Sequence, residues 1–375
     1  MKSVNLPYIE RIDQLRCFAA TLVFLFHFTL QWRARGGGGF DTPWAGLVTE
    51  GHTGVALFFT LSGFLFMRIA QFQRQLTYRP FIRNRLLRIA PLYLTVFVVA
   101  LSLNRDTFQP QDVLYLLSAN LGESPSSRNV VTGAIWCIPL EFMFYLVFPW
   151  LSRFALERGM RYLLQVLALM LFFKLMVYGE SANSSLMYFS TAVGRFDQFA
   201  TGMLAAMAYQ RWQPWLERRA GLLLLPAWAI VVCASALQAH VAPFGALPKA
   251  PFWIGWSMLE SWAWAGVIVT WVAWRGRLPQ WLERTLARGG KISFSFYLLH
   301  MGVVQTLFHR FDMVHMSGIA WLDAALALTV VYALACMVAG LSYHTIEAPF
   351  LRLRGSYGTV KAGAKDNRAP QDGPG

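Results

Sequence analysis

Ten long apolar segments recur along the chain, and they constrain its fold more than any other feature. A transmembrane α-helix needs about 20 predominantly apolar residues, and only 14% of the 375 residues are charged. The segments are 13–33, 48–69, 89–104, 133–152, 161–179, 192–209, 220–239, 253–274, 292–309 and 319–343. The pattern therefore predicts an all-α, polytopic membrane protein with about ten transmembrane helices.

The positive charges between these segments predict the orientation. Lys and Arg number 25 in the terminal segments and every second connection, against 6 in the intervening connections. Positively charged loops stay in the cytoplasm, so we expect cytoplasmic N- and C-termini. We also expect a membrane unit over residues 1–354 and a disordered cytoplasmic tail over 355–375. The net charge of +14 follows from this orientation, so nucleic-acid binding is not expected.

The first apolar segment carries two ionisable residues, Arg16 and His27. Eleven residues of α-helix return to within about 20° of the same face, about 16 Å along the axis. Ionisable groups inside a membrane usually face a cavity or a partner, and histidine exchanges protons near neutral pH. The pair fits either a proton-transfer site or a packed interhelical histidine with an interfacial arginine.

A second basic cluster, Arg83, Arg85 and Arg88, lies at the predicted cytoplasmic end of the third segment. Arg85 and Arg88 are three residues apart and share a helix face. Arginine clusters of this kind contact lipid headgroups or form bidentate phosphate sites. Coenzyme A, with its pyrophosphate and 3′-phosphate, is a ligand that fits the second interpretation.

Polar residues in two later segments complete the candidate chemistry. Glu141, in the fourth segment, is predicted at the same depth as His27, so it is a candidate base or orienting partner; interhelical pairing is the alternative. His300 and Tyr297 lie one turn apart in the ninth segment, where packing and catalysis both remain open. The four cysteines match no metal-binding spacing, and we expect no metal.

Six stretches occur in an order that resembles the acyltransferase type 3 family of integral-membrane O-acyltransferases. They cover about residues 10–350 and are Arg16 through His27, Gly54-Val-x-Leu-Phe-Phe-x-Leu-Ser-Gly-Phe64, Arg85-x-x-Arg88-Ile-x-Pro-x-Tyr93, Trp136-x4-Glu141-x3-Tyr145-x3-Pro149, Ser293-x-Ser-x-Tyr-Leu-x-His300 and Glu347-x-Pro349. Each stretch alone is weak evidence, but six in order are specific. The chain departs from common versions of the fourth stretch at Cys137 and Pro139.

The resemblance implies a ten-span core in the bacterial cytoplasmic membrane. Such a core takes an acyl group, usually acetyl, from cytoplasmic acyl-CoA and passes it to a hydroxyl of an envelope glycan or lipid. Some members carry a fused extracytoplasmic hydrolase-like domain, and we expect none here. We therefore expect either a separate partner for a second transfer step or direct acylation by the core.

The sequence thus predicts an O-acyltransferase that uses acetyl-CoA as a substrate and holds no permanent cofactor. His27, oriented by Glu141, is the predicted base. The predicted nucleotide-binding residues are Arg16, Arg83, Arg85 and Arg88, and the further candidate site residues are Trp136, Tyr297 and His300. A proton-coupled exporter or flippase of a lipid-linked glycan, with His27, Glu141 and His300 as a proton relay, is the alternative.

Overall fold

The computed structural model describes residues 5–40, 42, 45–74, 76–103, 105–107, 136–182, 188, 191–244 and 249–357, and these residues contain no β-strand. They form nine helices of more than 20 residues and a few short helical turns. In chain order the helices are α1 (Glu10–Ala34), α2 (Gly46–Thr49), α3 (Thr53–Gln73), α4 (Tyr78–Leu103), α5 (Cys137–Arg158), α6 (Met160–Glu180), α7 (Ala192–Val241), α8 (Phe252–Ala273), α9 (Gln280–Arg310), α10 (Ala320–Ser342) and α11 (Ala348–Leu351).

The helices follow the predicted apolar segments closely. Segments 192–209 and 220–239 share the 50-residue helix α7, whose backbone leaves helical geometry at Trp212. In the part of the chain that the structure describes, six helices are long and apolar enough to cross a membrane: α1, α3, α4, α6, α7 and the stretch Ala320–Leu351. The all-helical, multi-pass class is therefore confirmed, while the number of ten crossings and the orientation stay predictions.

The other three long helices carry polar groups within their apolar stretches. Glu141 lies on α5, Glu260 on α8 and His300 on α9. Ionisable residues inside a membrane protein usually face a partner or a cavity. These helices therefore place ionisable side chains in the interior of the protein.

Small residues let α3 pack closely between two neighbours. A Cβ atom at Gly63 would overlap the backbone of Phe199 on α7, and one at Gly54 would overlap the backbone of Ala19 on α1. Helix α7 in turn packs along α8, and α1 packs along α9. The Gly54–Phe64 stretch therefore packs closely against both neighbouring helices.

The two ends of the described chain meet. The backbone N–H of Tyr357 donates to Asn5 Oδ1 at 2.6 Å, and its carbonyl accepts from Thr77 N–H at 2.9 Å. Tyr357 is only 2% exposed. Residues 355–357 thus pack against α4 and the residues before it. Residues 358–375 lie outside the described part, and the disordered tail stays a prediction.

Candidate active site

A cavity lies between α1, α3, α4, α5 and α9. Its wall includes Arg16, Phe58, Phe59, Ser62, Phe66, Arg85, Arg88, Ile89, Cys137, Ile138, Glu141, Tyr145, Ser293, Phe294 and Tyr297. Five residues predicted from the sequence are thus brought to one cavity: the three arginines, Glu141 and Tyr297.

The lining residues define two ends of the cavity. From Phe66 to Phe58 on α3, and from Tyr145 to Cys137 on α5, the wall extends about 12 Å along each helix axis. Arg85 lies beside Phe66 and Tyr145. The end lined by Arg16, Arg85 and Arg88 is called the arginine end, and the opposite end closes at Phe58, Cys137 and Tyr297.

Arg85 is a buried cation held among aromatic rings. Its guanidinium carbon lies 4.8 Å from the ring centroid of Phe66, 5.8 Å from Phe81 and 5.9 Å from Tyr145. Among the described residues, neither Arg85 nor Arg88 forms an ion pair with a carboxylate. A buried charge is costly without a partner, so this end of the cavity is built to receive an anion.

Two further cations increase the positive charge there. Arg16 pairs with Asp13 at 3.1 Å. Burial, and next the charge of Arg88, lower the pKa of Arg354 to about 10. A cation whose pKa falls beside other cations is destabilised by their repulsion, and a bound anion would relieve that repulsion. Arg354 could not be predicted from the sequence, because only the fold brings the end of the chain to α4.

Arg83 does not reach the cavity. Its side chain is exposed, whereas Arg85 is buried. Two residues apart on an α-helix is a rotation of about 200°, so Arg83 and Arg85 point to nearly opposite sides of α4. Its predicted place among the nucleotide-binding residues therefore has no support in this geometry.

Glu141 lies in the cavity wall, and its hydrogen bonds differ from those predicted. One carboxylate oxygen, Oε1, accepts from Ser62 Oγ at 3.0 Å and also from Tyr145 OH. No hydrogen bond joins Glu141 to His27 among the described residues. These contacts therefore give no support to the prediction that Glu141 orients His27, which stays a prediction. A sequence signal for Tyr145 did exist, since it follows Glu141 by four residues and shares its helix face.

His27 is paired with His300. Their ring atoms Nδ1 and Nε2 lie 3.0 Å apart. His300 Nδ1 lies 2.7 Å from the carbonyl oxygen of Tyr297, and His27 Nδ1 lies 3.1 Å from that of Val23. Carbonyl oxygens only accept hydrogen bonds.

These contacts assign the tautomers of the histidine pair. Hydrogen is assigned to both Nδ1 atoms from these carbonyl contacts, so the single Nδ1–H of His27 is shared between the carbonyl oxygen of Val23 and Nε2 of His300. His27 keeps the lone pair of its Nε2, which makes that atom the basic one of the pair. His27 is half-buried and His300 is buried, so His27 is the more accessible of the two.

Tyr297 separates the cavity from the histidine pair. Its ring lines the cavity, contacts Phe58 edge-on with centroids 6.0 Å apart, and lies 5.8 Å from the ring of His300. Cys137 Sγ–H donates to Tyr297 OH at 3.0 Å. His27 and His300 are not part of the cavity wall. Tyr297 therefore lies between the cavity and the histidine pair.

Trp136 belongs to a different region. The guanidinium carbon of Arg195 lies 5.9 Å from its ring, and Arg195 pairs with Glu260 at 3.2 Å. A second pair nearby, Lys174 with Asp197 at 2.5 Å, is fully buried. These two ion pairs, on α6, α7 and α8, are called the ion network; Trp136 lies against it and not in the cavity.

The sequence also matches a known protein family and several known proteins. A family model described as an acyltransferase domain matches residues 9–341. Three relatives named O-acetyltransferase OatA, from Staphylococcus aureus strains NCTC 8325 / PS 47, COL and MRSA252, are each 24% identical over 171 residues. The match covers 40% of this chain and 26% of each relative, so the chain spans about a quarter of their length. No solved structure matches.

Proposed function

The chain belongs to the acyltransferase family, and on that premise we propose that it is a membrane O-acetyltransferase using cytoplasmic acetyl-CoA. The acceptor is a hydroxyl of a cell-envelope glycan or glycolipid, such as an O-antigen or exopolysaccharide, and the protein acts in the bacterial cytoplasmic membrane. The observation that carries the proposal is one cavity that brings Arg85 and Arg88, which have no carboxylate ion pair among the described residues, together with Glu141 and Tyr297.

The arginine end supports the choice of donor. Guanidinium groups bind phosphate through paired, charge-assisted hydrogen bonds. Arg85 and Arg88 lack carboxylate partners among the described residues, so a phosphate there replaces no internal ion pair. The pyrophosphate and 3′-phosphate of acetyl-CoA supply such anions, and the pantetheine arm would follow the cavity towards Glu141.

The histidine pair supports the choice of base. His27 Nε2 takes the proton of the acceptor hydroxyl while the oxygen attacks the thioester carbonyl. The C–S bond then breaks, and coenzyme A leaves as a thiolate that takes up a proton. His300 accepts from His27 Nδ1–H at 3.0 Å, which orients the base. The thioester approaches past Tyr297, so donor and acceptor reach His27 from opposite sides.

Glu141 has a separate role in this proposal. It accepts hydrogen bonds from Ser62 and Tyr145 inside the cavity. From that position it shapes the path of the pantetheine arm and does not orient the base. A direct proton transfer to Glu141 predicts that Glu141→Gln loses as much activity as His27→Ala, whereas a positioning role predicts a smaller loss.

The exporter alternative needs an unbroken proton relay through His27, His300 and Glu141. The first two residues are in contact. Glu141, however, hydrogen-bonds on the cavity side of Tyr297, so the relay is interrupted. Consumption of acetyl-CoA by purified protein without an ion gradient distinguishes the enzyme from the exporter.

The decisive experiment compares His27→Ala with His309→Ala, an exposed histidine of α9. Loss of a general base typically slows the reaction by about 10²–10⁴-fold. We expect His27→Ala to lose acetyl transfer from labelled acetyl-CoA to isolated envelope and to keep its affinity for coenzyme A. His309→Ala should retain both. Near wild-type turnover by His27→Ala would reject His27 as the base.

A further inference from the structure

The segment Gly355–Tyr357 returns to the arginine end and is fixed there through its backbone. Asn84 Nδ2 donates to the carbonyl of Gly355 at 2.7 Å, and Gly355 N–H donates back to Asn84 Oδ1 at 3.1 Å. Tyr357 N–H donates to Asn5 Oδ1 at 2.6 Å, and its carbonyl accepts from Thr77 N–H at 2.9 Å. Helix α4, the residues before it and the N-terminal segment thus fix the position of Gly355–Tyr357.

In this position the side chain of Tyr357 contacts Arg85. The phenol is 2% exposed, and its ring lies 5.3 Å from the ring of Phe81. The guanidinium carbon of Arg85 lies 5.4 Å from the same ring, and Arg85 Nη2 donates to Tyr357 OH. Arg85 lines the cavity and Tyr357 does not, so Tyr357 holds Arg85 from behind.

The remaining donors of Arg85 are left for a ligand. A guanidinium has five N–H donors in a planar fork. Arg85 Nε is buried and has no hydrogen-bond partner among the described residues. A long side chain loses rotamer freedom when it binds an anion, and a guanidinium fixed in advance loses less.

We infer that Tyr357 is a positioning residue for the acyl donor, which fixes Arg85 so that its free N–H groups face the phosphates of acetyl-CoA. The inference rests on the proposed function, in which Arg85 binds a phosphate of the donor. It assigns a role in donor affinity to a residue far from Arg85 in sequence, in a segment that neither the motifs nor the apolar pattern marks. Tyr357 does not touch the reacting atoms, so the chemical step itself should not depend on it.

The test uses Tyr357→Phe, which keeps the ring and its packing and removes only the hydroxyl. Fixing a long side chain during binding, instead of in advance, costs up to about tenfold in affinity. We therefore expect the variant to bind coenzyme A up to about tenfold more weakly, with KM for acetyl-CoA raised and kcat unchanged. Affinity for S-acetylpantetheine, which has no phosphate groups, should not change. Tyr178→Phe, on α6, is the matched control.

A double-mutant cycle separates positioning from general stabilisation. In an Arg85→Met background, Tyr357→Phe should cause no further loss of coenzyme A affinity. Equal losses for acetyl-CoA and S-acetylpantetheine, or an undiminished loss in the Arg85→Met background, would overturn the inference, as would unchanged affinity in Tyr357→Phe. Wild-type protein that binds no coenzyme A would instead reject the donor in the proposed function, and this inference with it.

Discussion

Two buried groups of charged residues in this protein differ in how their charges are balanced. In the ion network each cation has an acid of its own: Lys174 contacts Asp197 at 2.5 Å and Arg195 contacts Glu260 at 3.2 Å. At the arginine end of the cavity, Arg85 is equally buried but its described hydrogen-bond partner is the neutral phenol of Tyr357. One group is electrically balanced, and the other carries an excess of positive charge.

The difference indicates what each group is for. Removing charges from water costs several kcal/mol per ion, and an internal ion pair offsets that cost within the fold itself. A buried cation without an acid remains costly until an anion arrives, which makes it a ligand site rather than a structural element. The cavity beside Arg85 gives such an anion room to bind, whereas the Lys174–Asp197 pair has both side chains at 0% exposure.

The largest effect we predict is on stability, from breaking the ion network. Lys174→Met leaves the carboxylate of Asp197 fully buried without its cation, and removal of one partner of a buried pair costs about 3–5 kcal/mol. Replacing both residues, as in Lys174→Met with Asp197→Leu, should recover much of that loss because no charge is left behind. Thermal unfolding in detergent measures both variants. A double variant no more stable than the single one would show that Ser257, which hydrogen-bonds to both residues, and not charge balance, governs this region.

An intermediate effect, on binding rather than stability, is expected at the arginine end. Arg85→Met removes a buried cation without depriving any described carboxylate of a partner, so we expect no loss of stability comparable with that of Lys174→Met. Coenzyme A binding should weaken by about 1–3 kcal/mol. Calorimetry of the same preparation gives the affinity, and thermal unfolding gives the stability. If Arg85→Met destabilised the protein as much as Lys174→Met, the contrast between the two groups would fail.

The sequence alone could not separate these two groups of charges. Lys174, Arg195 and Arg85 all appear as cations at or within apolar segments, and their spacing along the chain does not say which one has an acid beside it. Within a single helix the prediction was better, because the three-residue spacing of Arg85 and Arg88 fixes their common face. Both residues do line the cavity.

Contacts between helices were harder to predict, for a physical reason. Helix periodicity gives the face and the depth of a residue but not which neighbouring helix it meets. His27 and Glu141 were matched by depth, yet α1 packs along α9, and His27 therefore meets His300. Tyr357 was missed for a similar reason, because a short polar segment beyond the last apolar stretch carries no periodic signal.

The smallest effect should come from an exposed ion pair. Arg153 and Glu157 are four residues apart on α5, with Nε and Oε1 2.9 Å apart, a distance between those of the two pairs in the ion network. Their side chains are 74% and 52% exposed, so solvent screens the pair, and such helix pairs contribute about 0.3–0.5 kcal/mol. Arg153→Ala should therefore shift the unfolding free energy by no more than that, and added salt should reduce the shift further. Titration of the variant and the wild type in denaturant, at low and high salt, measures it. A loss approaching that of Lys174→Met would mean that ion pairing itself, and not burial, sets the energetic difference between the charged regions.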